Sequence, residues 1–428
     1  MLVLLIFGLM IVFIAMDIPV AFALGLTSLG FIVLGTNVPL ILVVQRLYTG
    51  VDSFTLLAVP LFILTGVLMN YTSLSKKIVD FSMAMVGFIR GGLAAVNIVT
   101  SMFFAGVSGT SMADTAAVGG VLIPAMIEKG YKADFTGAVT ASSSTIGIII
   151  PPSVPMILYG VFVGLSVTTL FIAGIIPGVL IGLGLILVAF YISRKAGYSG
   201  ESAFSAERLW QTFKAAIPAL LLPVIILGGI MGGIFTPTEA AAVAVVYVLV
   251  VGTLGFRELS LRNMYDALKE SALFTGQVML IIAVASLLGW VFAYAKIPQM
   301  LVSPIVNITT SNSVFLWLAS LVFVVAGTFL HGTAMLVVLV PLFLPVVQEM
   351  GIHPLQFAMV VMMCWGIGQQ TPPVGSALYI TCSLAKIDMW ELTRANMPFI
   401  AVLFVVLAGV IHLPSLFVLL IPGILGLL

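Results

Sequence analysis

Two short stretches carry much of the oxygen chemistry of an otherwise apolar chain. In FFAGVSGTSMADTAA (103–117), Gly106 and Gly109 can make a turn while Ser108, Thr110 and Ser111 offer hydroxyls; in VAGTFLHGTAML (325–336), Thr328, Gly332 and Thr333 take the equivalent places. Downstream of each lies a glycine followed by a double proline, GIIIPP at 147–152 and GQQTPP at 368–373. Proline removes a backbone donor and clashes with the preceding turn, at about 3 kcal/mol in a helix interior, and glycine adds to that penalty. Both stretches are therefore expected to unwind and leave carbonyl oxygens free. Carbonyls beside hydroxyls suit a hard cation, which takes several oxygen ligands, while half-helix N-termini favour an anionic substrate group. The expectation is a pair of cation sites related by pseudo-symmetry. Ser108, Thr110 and Ser111 would face Gly147 to Pro152, and Thr328, Gly332 and Thr333 would face Gly368 to Pro373. The competing reading is that these are ordinary caps and kinks, since Ser111 with Asp114 three residues on also fits a capping box.

Other polar groups stand near these stretches. Asp114 is the one acid well inside its apolar stretch, and three roles are open to it: contact with a cation, carriage of a coupling proton, or a bond to Thr110. Thr236, Pro237 and Glu239 satisfy the helix-start rules, so Glu239 is expected to cap rather than to bind. His331 either meets a substrate or serves structure. The run Thr140, Ser142, Ser143, Ser144 and Thr145 either wets a pathway, the favoured reading, or bonds back to helix carbonyls. Ser111, Asp114, Ser144, His331, Gln369 and Gln370 are the candidates for substrate contact or coupling.

The elements holding these residues must be membrane helices. Of 428 residues, 62% are hydrophobic and 7% charged, and the mean hydropathy is +1.29, so the apolar surface requires a bilayer. A formal charge of +1 offers no basic face for nucleic acid. Apolar runs of helix length without strand alternation give an all-α polytopic protein. The N-terminal run has no basic region before it and reads as a retained first span (2–16). Cys364 and Cys382 are the only cysteines, which excludes a disulfide framework or a cysteine metal site. Gly178/Gly182, Gly228/Gly232 and Gly229/Gly233 have the small-xxx-small spacing of close helix packing.

A crossing takes about 20 residues, and four apolar segments are longer: 92–127, 133–165, 313–348 and 354–385. Pro124, Glu128, Gly130, Gly147, Pro151 and Pro152 return 221 residues later as Pro345, Glu349, Gly351, Gly368, Pro372 and Pro373. This is an internal repeat of a hairpin followed by a broken helix. If both hairpins are re-entrant and both broken helices cross once, nearly all Lys and Arg fall on one side, with Lys296 on the other and Arg46 in an unassigned early loop. That side is then cytoplasmic and the repeat is inverted. Such an architecture fits a secondary transporter, and no GxxxxGK[ST] motif supplies an ATPase. An ion channel or a proton-coupled carrier of the same architecture is the alternative. An intramembrane hydrolase is disfavoured: Ser108 or Ser111 with His331 has no orienting acid, so the chain is not expected to be an enzyme.

The stretch GVSGTSMADTAAVGGVLIPAMIEKGYKADFTGAVTASSSTIGIIIPPSVPMILYG (106–160), with GIFTPTEAAAVA and GIGQQTPPVG, resembles the large membrane subunit of tripartite ATP-independent periplasmic (TRAP) transporters, over essentially the whole chain. The resemblance implies a multi-pass permease of the bacterial inner membrane, coupled to sodium and working as an elevator. It also implies a small four-helix membrane subunit and a periplasmic binding protein that delivers a carboxylate-bearing organic acid. Residues 91–193 and 296–395 would be the transport repeats, 1–90 and 194–295 scaffold regions, and 396–428 a C-terminal helix. Carried over, the first sodium site would use Ser108, Thr110, Gly147, Ile150 and Pro152. The second would use Thr328, Gly332, Thr333, Gly368, Thr371 and Pro373. Ile148 stands where the family pattern has proline. Among subtypes, MADTAAVGGVLIPAMIEKGY is most similar to sialic acid carriers, with C4-dicarboxylate carriers next.

Overall fold

The computed structural model describes residues 8–10, 12, 13, 16, 18–201, 203–297, 299, 300, 302 and 309–428. Much of the expected first span (2–16) lies outside them. Among the described residues the chain is helical with no strand, as a chain that must satisfy its own backbone in lipid requires. Among the described residues, seven helices are long and apolar enough to cross a membrane, or up to nine if each of two bent pairs counts as one.

The elements run α1 (Val20–Gly35), α2 (Ile41–Val51), α3 (Ala58–Asn70), α4 (Leu74–Val86), α5 (Gly92–Ser108), α6 (Ser111–Glu128), α7 (Ala133–Ser143), α8 (Ile146–Ile149), α9 (Val154–Val163) and α10 (Val167–Ala196). They continue as α11 (Ala206–Met231), α12 (Pro237–Val250), α13 (Leu261–Tyr294), α14 (Asn312–Phe329), α15 (Gly332–Glu349), α16 (Pro354–Gly368), α17 (Ser376–Ala385), α18 (Met389–His412), α19 (Pro414–Phe417) and α20 (Leu420–Ile424). Side-chain caps set many of the starts. Ser166, Ser205, Ser260 and Asp388 each accept from a backbone N–H at the head of α10, α11, α13 and α18.

Both expected hairpins are present, α5–α6 and α14–α15, and both broken helices, α7–α8–α9 and α16–α17. The first break bends the chain by 41°. Each Pro-Pro bond, 151–152 and 372–373, is cis. The copies embrace reciprocally: α9 of the first packs on α15 of the second, and α17 of the second packs on α6 of the first. At the centre, Thr145 Oγ1 donates to the Gly366 carbonyl at 3.3 Å across a separation of 221 residues, the repeat spacing itself. The local two-fold axis therefore passes between these residues. Helices α5, α7, α8 and α16 are almost wholly buried, whereas α2, α11 and α13 present many exposed apolar side chains. The repeats form the core and the long helices flank it, with α13 in contact with α1, α2, α3 and α15.

Several local expectations change. Arg46 lies not in a loop but on α2, which meets the following helix at 60°. The last long helix starts earlier than expected, at Met389, and ends at His412 before two short helices. Gly178 and Gly182 do allow close packing, against Ile150 and Met102, but Gly228 has open space around it and Gly232 and Gly233 end α11. The latter pairs are a helix terminus, because Gly233 takes a left-handed φ of 67°.

Candidate functional site

The first hairpin tip is built by a left-handed glycine. Gly109 (φ 63°) ends α5, and Thr110 starts α6 by accepting from Ala113 N at 3.3 Å. The cap is thus Thr110 rather than Ser111. Ser108 Oγ donates to the Thr110 carbonyl at 3.5 Å. This tip seats on the first break: Val154 N donates to the Gly109 carbonyl at 2.9 Å. A Cβ on Gly109 would stand 3.0 Å from the Pro152 oxygen, and one on Gly147 would stand 3.3 Å from the Thr110 oxygen. Ser108, Thr110, Gly147 and Pro152 are brought together at this junction, the Pro152 oxygen near Gly109 and the Thr110 oxygen near Gly147. Ile150 joins them in the chain, its side chain packed on Gly178 of α10. Ser153 then caps α9, accepting from Met156 N at 3.4 Å.

The second tip repeats the plan with different chemistry. Val374 N donates to the Thr328 carbonyl at 3.3 Å, and a Cβ on Gly368 would come within 2.8 Å of Gly327 Cα. Gly332 sits so closely on the Trp365 indole that no side chain fits. The hydroxyls of Thr328 and Thr371 turn back to Val325 O (2.8 Å) and Ile367 O (2.7 Å). Pro373 is exposed, whereas Thr333 is buried.

Between the tips lies a narrow cavity of about 30 Å³, lined by Thr110, Ser111, Met112, Ile148, Val154, Pro155, Leu158, His331, Thr333, Trp365 and Gln369, with Phe274 and Val278 of α13 closing it. The N-termini of α6, α9 and α15 all reach it, and no Lys or Arg lines it. Three positive dipole ends thus face one space, the electrostatics an anion favours. Ser111 Oγ donates to Gln369 Oε1 at 2.7 Å, so the amide nitrogen of Gln369 is left over, buried and unpartnered. His331 Nδ1 is likewise buried without a partner, while its Nε2 lies 3.4 Å from Met112 Sδ. Two uncommitted polar atoms on one cavity are the features that orient a small ligand.

Not every candidate joins this cavity. Gln370 is a knot between repeats: its Oε1 takes Ser142 Oγ at 2.7 Å and Asn396 Nδ2 at 2.9 Å, and its Nε2 reaches Thr145 Oγ1 at 2.9 Å and Gly366 O at 3.2 Å. With all its bonding capacity used, it has none to offer a substrate. Ser144 back-bonds to Ala141 O at 2.9 Å, and the whole polar run is buried, so it knits helices together rather than wetting a path. Asp114 lies away from the cavity, inside the hairpin, with both oxygens unpartnered. Glu239 caps as expected, accepting from Thr236 N at 2.8 Å in a full capping box. Sequence reasoning missed Asn97, Ser101 and Asn396, which lie outside both motifs; aligning the repeats position by position would have flagged Asn97 and Ser101.

The profile of the DctM component of tripartite ATP-independent periplasmic transporters matches residues 7–416. The chain belongs to that family. It is 40% identical over 404 residues, 94% of both chains, to the sialic acid TRAP transporter large permease protein SiaM of Vibrio cholerae. It is 34% identical over 437 residues, 99% of each, to the C4-dicarboxylate large permease DctM of Rhodobacter capsulatus. Against the isethionate TRAP permease DctMQ of Oleidesulfovibrio alaskensis it is 36% identical, covering 96% of this chain and 65% of that one. The YdaH transporter of Alcanivorax borkumensis shares the fold, with a TM-score of 0.54 at 15% identity over 86% of both chains. This DctM-family chain is accordingly a TRAP transporter large permease, a multi-pass protein of the inner membrane.

Proposed function

We propose that this permease imports a carboxylate-bearing organic acid, sialic acid in first place, by sodium symport through an elevator movement of the two repeats. The observation that carries the reading is the convergence of three helix N-termini on one cavity with no cationic side chain. Such a cavity attracts a carboxylate without holding it by a buried ion pair, which would slow release. Sodium at the two tip-and-break junctions would tie each tip to its break by shared carbonyl ligands and complete the cavity. The first junction would use Ser108, Thr110, Gly147, Ile150 and Pro152. The second would use Thr328, Gly332, Thr333, Gly368, Thr371 and Pro373. At about 30 Å³ the cavity has room for roughly two waters, so the acid enters only when the repeats move against the flanking helices. A small four-helix membrane subunit and a periplasmic binding protein complete the system. Sialic acid takes precedence because the SiaM relative is 40% identical.

The experiment is uptake of labelled sialic acid and of succinate into vesicles holding the permease and small subunit, with the binding protein outside, at graded sodium. Ser108→Ala and Thr333→Ala should each raise the sodium concentration for half-maximal uptake severalfold. Unchanged sodium dependence in both variants rejects the proposed ligands, and brisk uptake without the binding protein rejects the tripartite system.

A further inference from the structure

Beside the ligand cavity lies a second, larger chamber of about 240 Å³. It stands between the first hairpin and the flanking helices, with Ile63 and Val67 of α3 on one side and Ala113 and Ala116 of α6 on another. Thr110, Met112 and Phe274 line both spaces and so form the wall between them. Thr110 is fixed as the cap of α6. Met112 is unbranched and adaptable, and Phe274 belongs to α13, outside the repeats.

One stripe of α13 joins the two spaces. Val278 lines the small cavity, Phe274 lines both and Glu270 lines the chamber alone, at steps of four residues that keep one helix face. The stripe runs toward the helix N-terminus, where Arg262 and Lys269 stand, whereas Lys296 follows the other end. By the distribution of positive charge, the chamber is on the cytoplasmic side. Glu270 is exposed, accepts a 3.4 Å bond from Tyr71 Oη, and has no cation paired with it among the described residues. Four residues of helix rise about 6 Å, so this carboxylate stands about 12 Å along α13 from Val278, close enough to repel an anion in the cavity. Its place matters as much as its sign. Because α13 flanks the repeats, a cargo carried away with them leaves the repulsion behind. The anion is then destabilised only while it faces the chamber, and a site of unequal affinity in two states discharges in the weaker one.

We infer that the chamber is the release route to the cytoplasm, shut by Met112 and Phe274, and that Glu270 lowers the affinity for an anionic cargo on that side. The inference rests on the proposed anionic cargo and the movement of the repeats, and adds the route, its gate and the residue that favours discharge. The first test needs neither cargo nor sodium, so its failure is separate from a failure of that reading. Inside-out vesicles holding the permease and small subunit, in a Cys382→Ser background with Cys364 buried, are treated with impermeant cationic and anionic methanethiosulfonates of matched size, and the mass added to the permease is followed. Ala116→Cys should react several times faster with the cationic reagent. Glu270→Gln should bring the two rates together, while Tyr71→Phe, which removes only the hydrogen bond, should leave them apart. Ser111→Cys, inside the small cavity, should resist both reagents until Phe274→Ala or Met112→Ala is added. No reaction at Ala116→Cys, or a charge preference unchanged by Glu270→Gln, overturns the route and its acid; equal reaction at Ser111→Cys with and without the gate substitutions overturns the gate. Should the gate variants fail to fold, the Ala116→Cys rates alone decide. In transport, Glu270→Gln should lower severalfold the internal concentration of unlabelled sialic acid that halves uptake. No change there, with uptake itself intact, overturns the role of Glu270 in discharge.

Discussion

At the hairpin and broken helix, the first repeat sets Asn97, Ser101, Asp114, Thr140 and Ser143, all buried, where the second sets Met335, Val361 and Cys364, also buried, and Leu318 and Val322, which are exposed. The breaks differ as well. Residues 151–153 are buried and end in the Ser153 cap, whereas in the second break Pro373 and Val374 are exposed and α17 begins at Ser376, preceded by Gly375, without a side-chain cap. One backbone plan thus carries two polarities. What the copies share, glycines and prolines at matching positions, shapes the chain; what they do not share sets its chemistry.

The comparison can be broken most forcefully by moving the acid. Met335→Asp places a carboxylate at a fully buried position of the second hairpin, and an uncompensated buried charge costs about 3–5 kcal/mol. Loss of the monodisperse protein in detergent is expected; a variant as stable as the wild type would mean that the two hairpins are interchangeable at this position. Gln370→Leu should come next. It leaves Asn396 Nδ2 without its partner and takes one of two bonds from each of Ser142 and Thr145, at about 1–3 kcal/mol for the group left unpaired. A lowered thermal midpoint with uptake impaired in proportion is the expected result, and an unchanged midpoint would show that the repeats hold together without this knot. Ser153→Ala removes the cap from α9 and should cost about 1 kcal/mol, seen as a small fall in midpoint. Gly375→Ser, at the uncapped counterpart, should not give a matching gain, because its Cβ would stand 2.9 Å from the Thr371 oxygen. A gain there would mean that the missing cap alone distinguishes the breaks.

The hairpins and breaks were legible in the sequence because proline and glycine act locally. GIIIPP and GQQTPP interrupt a helix wherever they stand, and their 221-residue spacing exposed the duplication. Thr236 and Glu239 were readable for the same reason, since a capping box spans a single turn. Gln370 was misjudged because its partners come from two other segments, and a side chain's hydrogen-bonding balance cannot be read until those segments meet. The glycine pairs at 228–233 carried the right spacing for helix packing but fell at a terminus, where the same residue type has another use. Helix α2 escaped notice because Gln45 and Arg46 interrupt its apolar residues.

The meeting of Thr145 and Gly366 has a consequence for ancestry. These residues hold the same place in the two copies, yet the threonine methyl occupies the space where a side chain on the glycine would be. Two identical threonines would collide there, and two glycines would leave a hole. A pair of freshly duplicated, identical halves would have met that conflict at once, so this is a point where the copies had reason to diverge early, and where neither can now mutate without regard to the other.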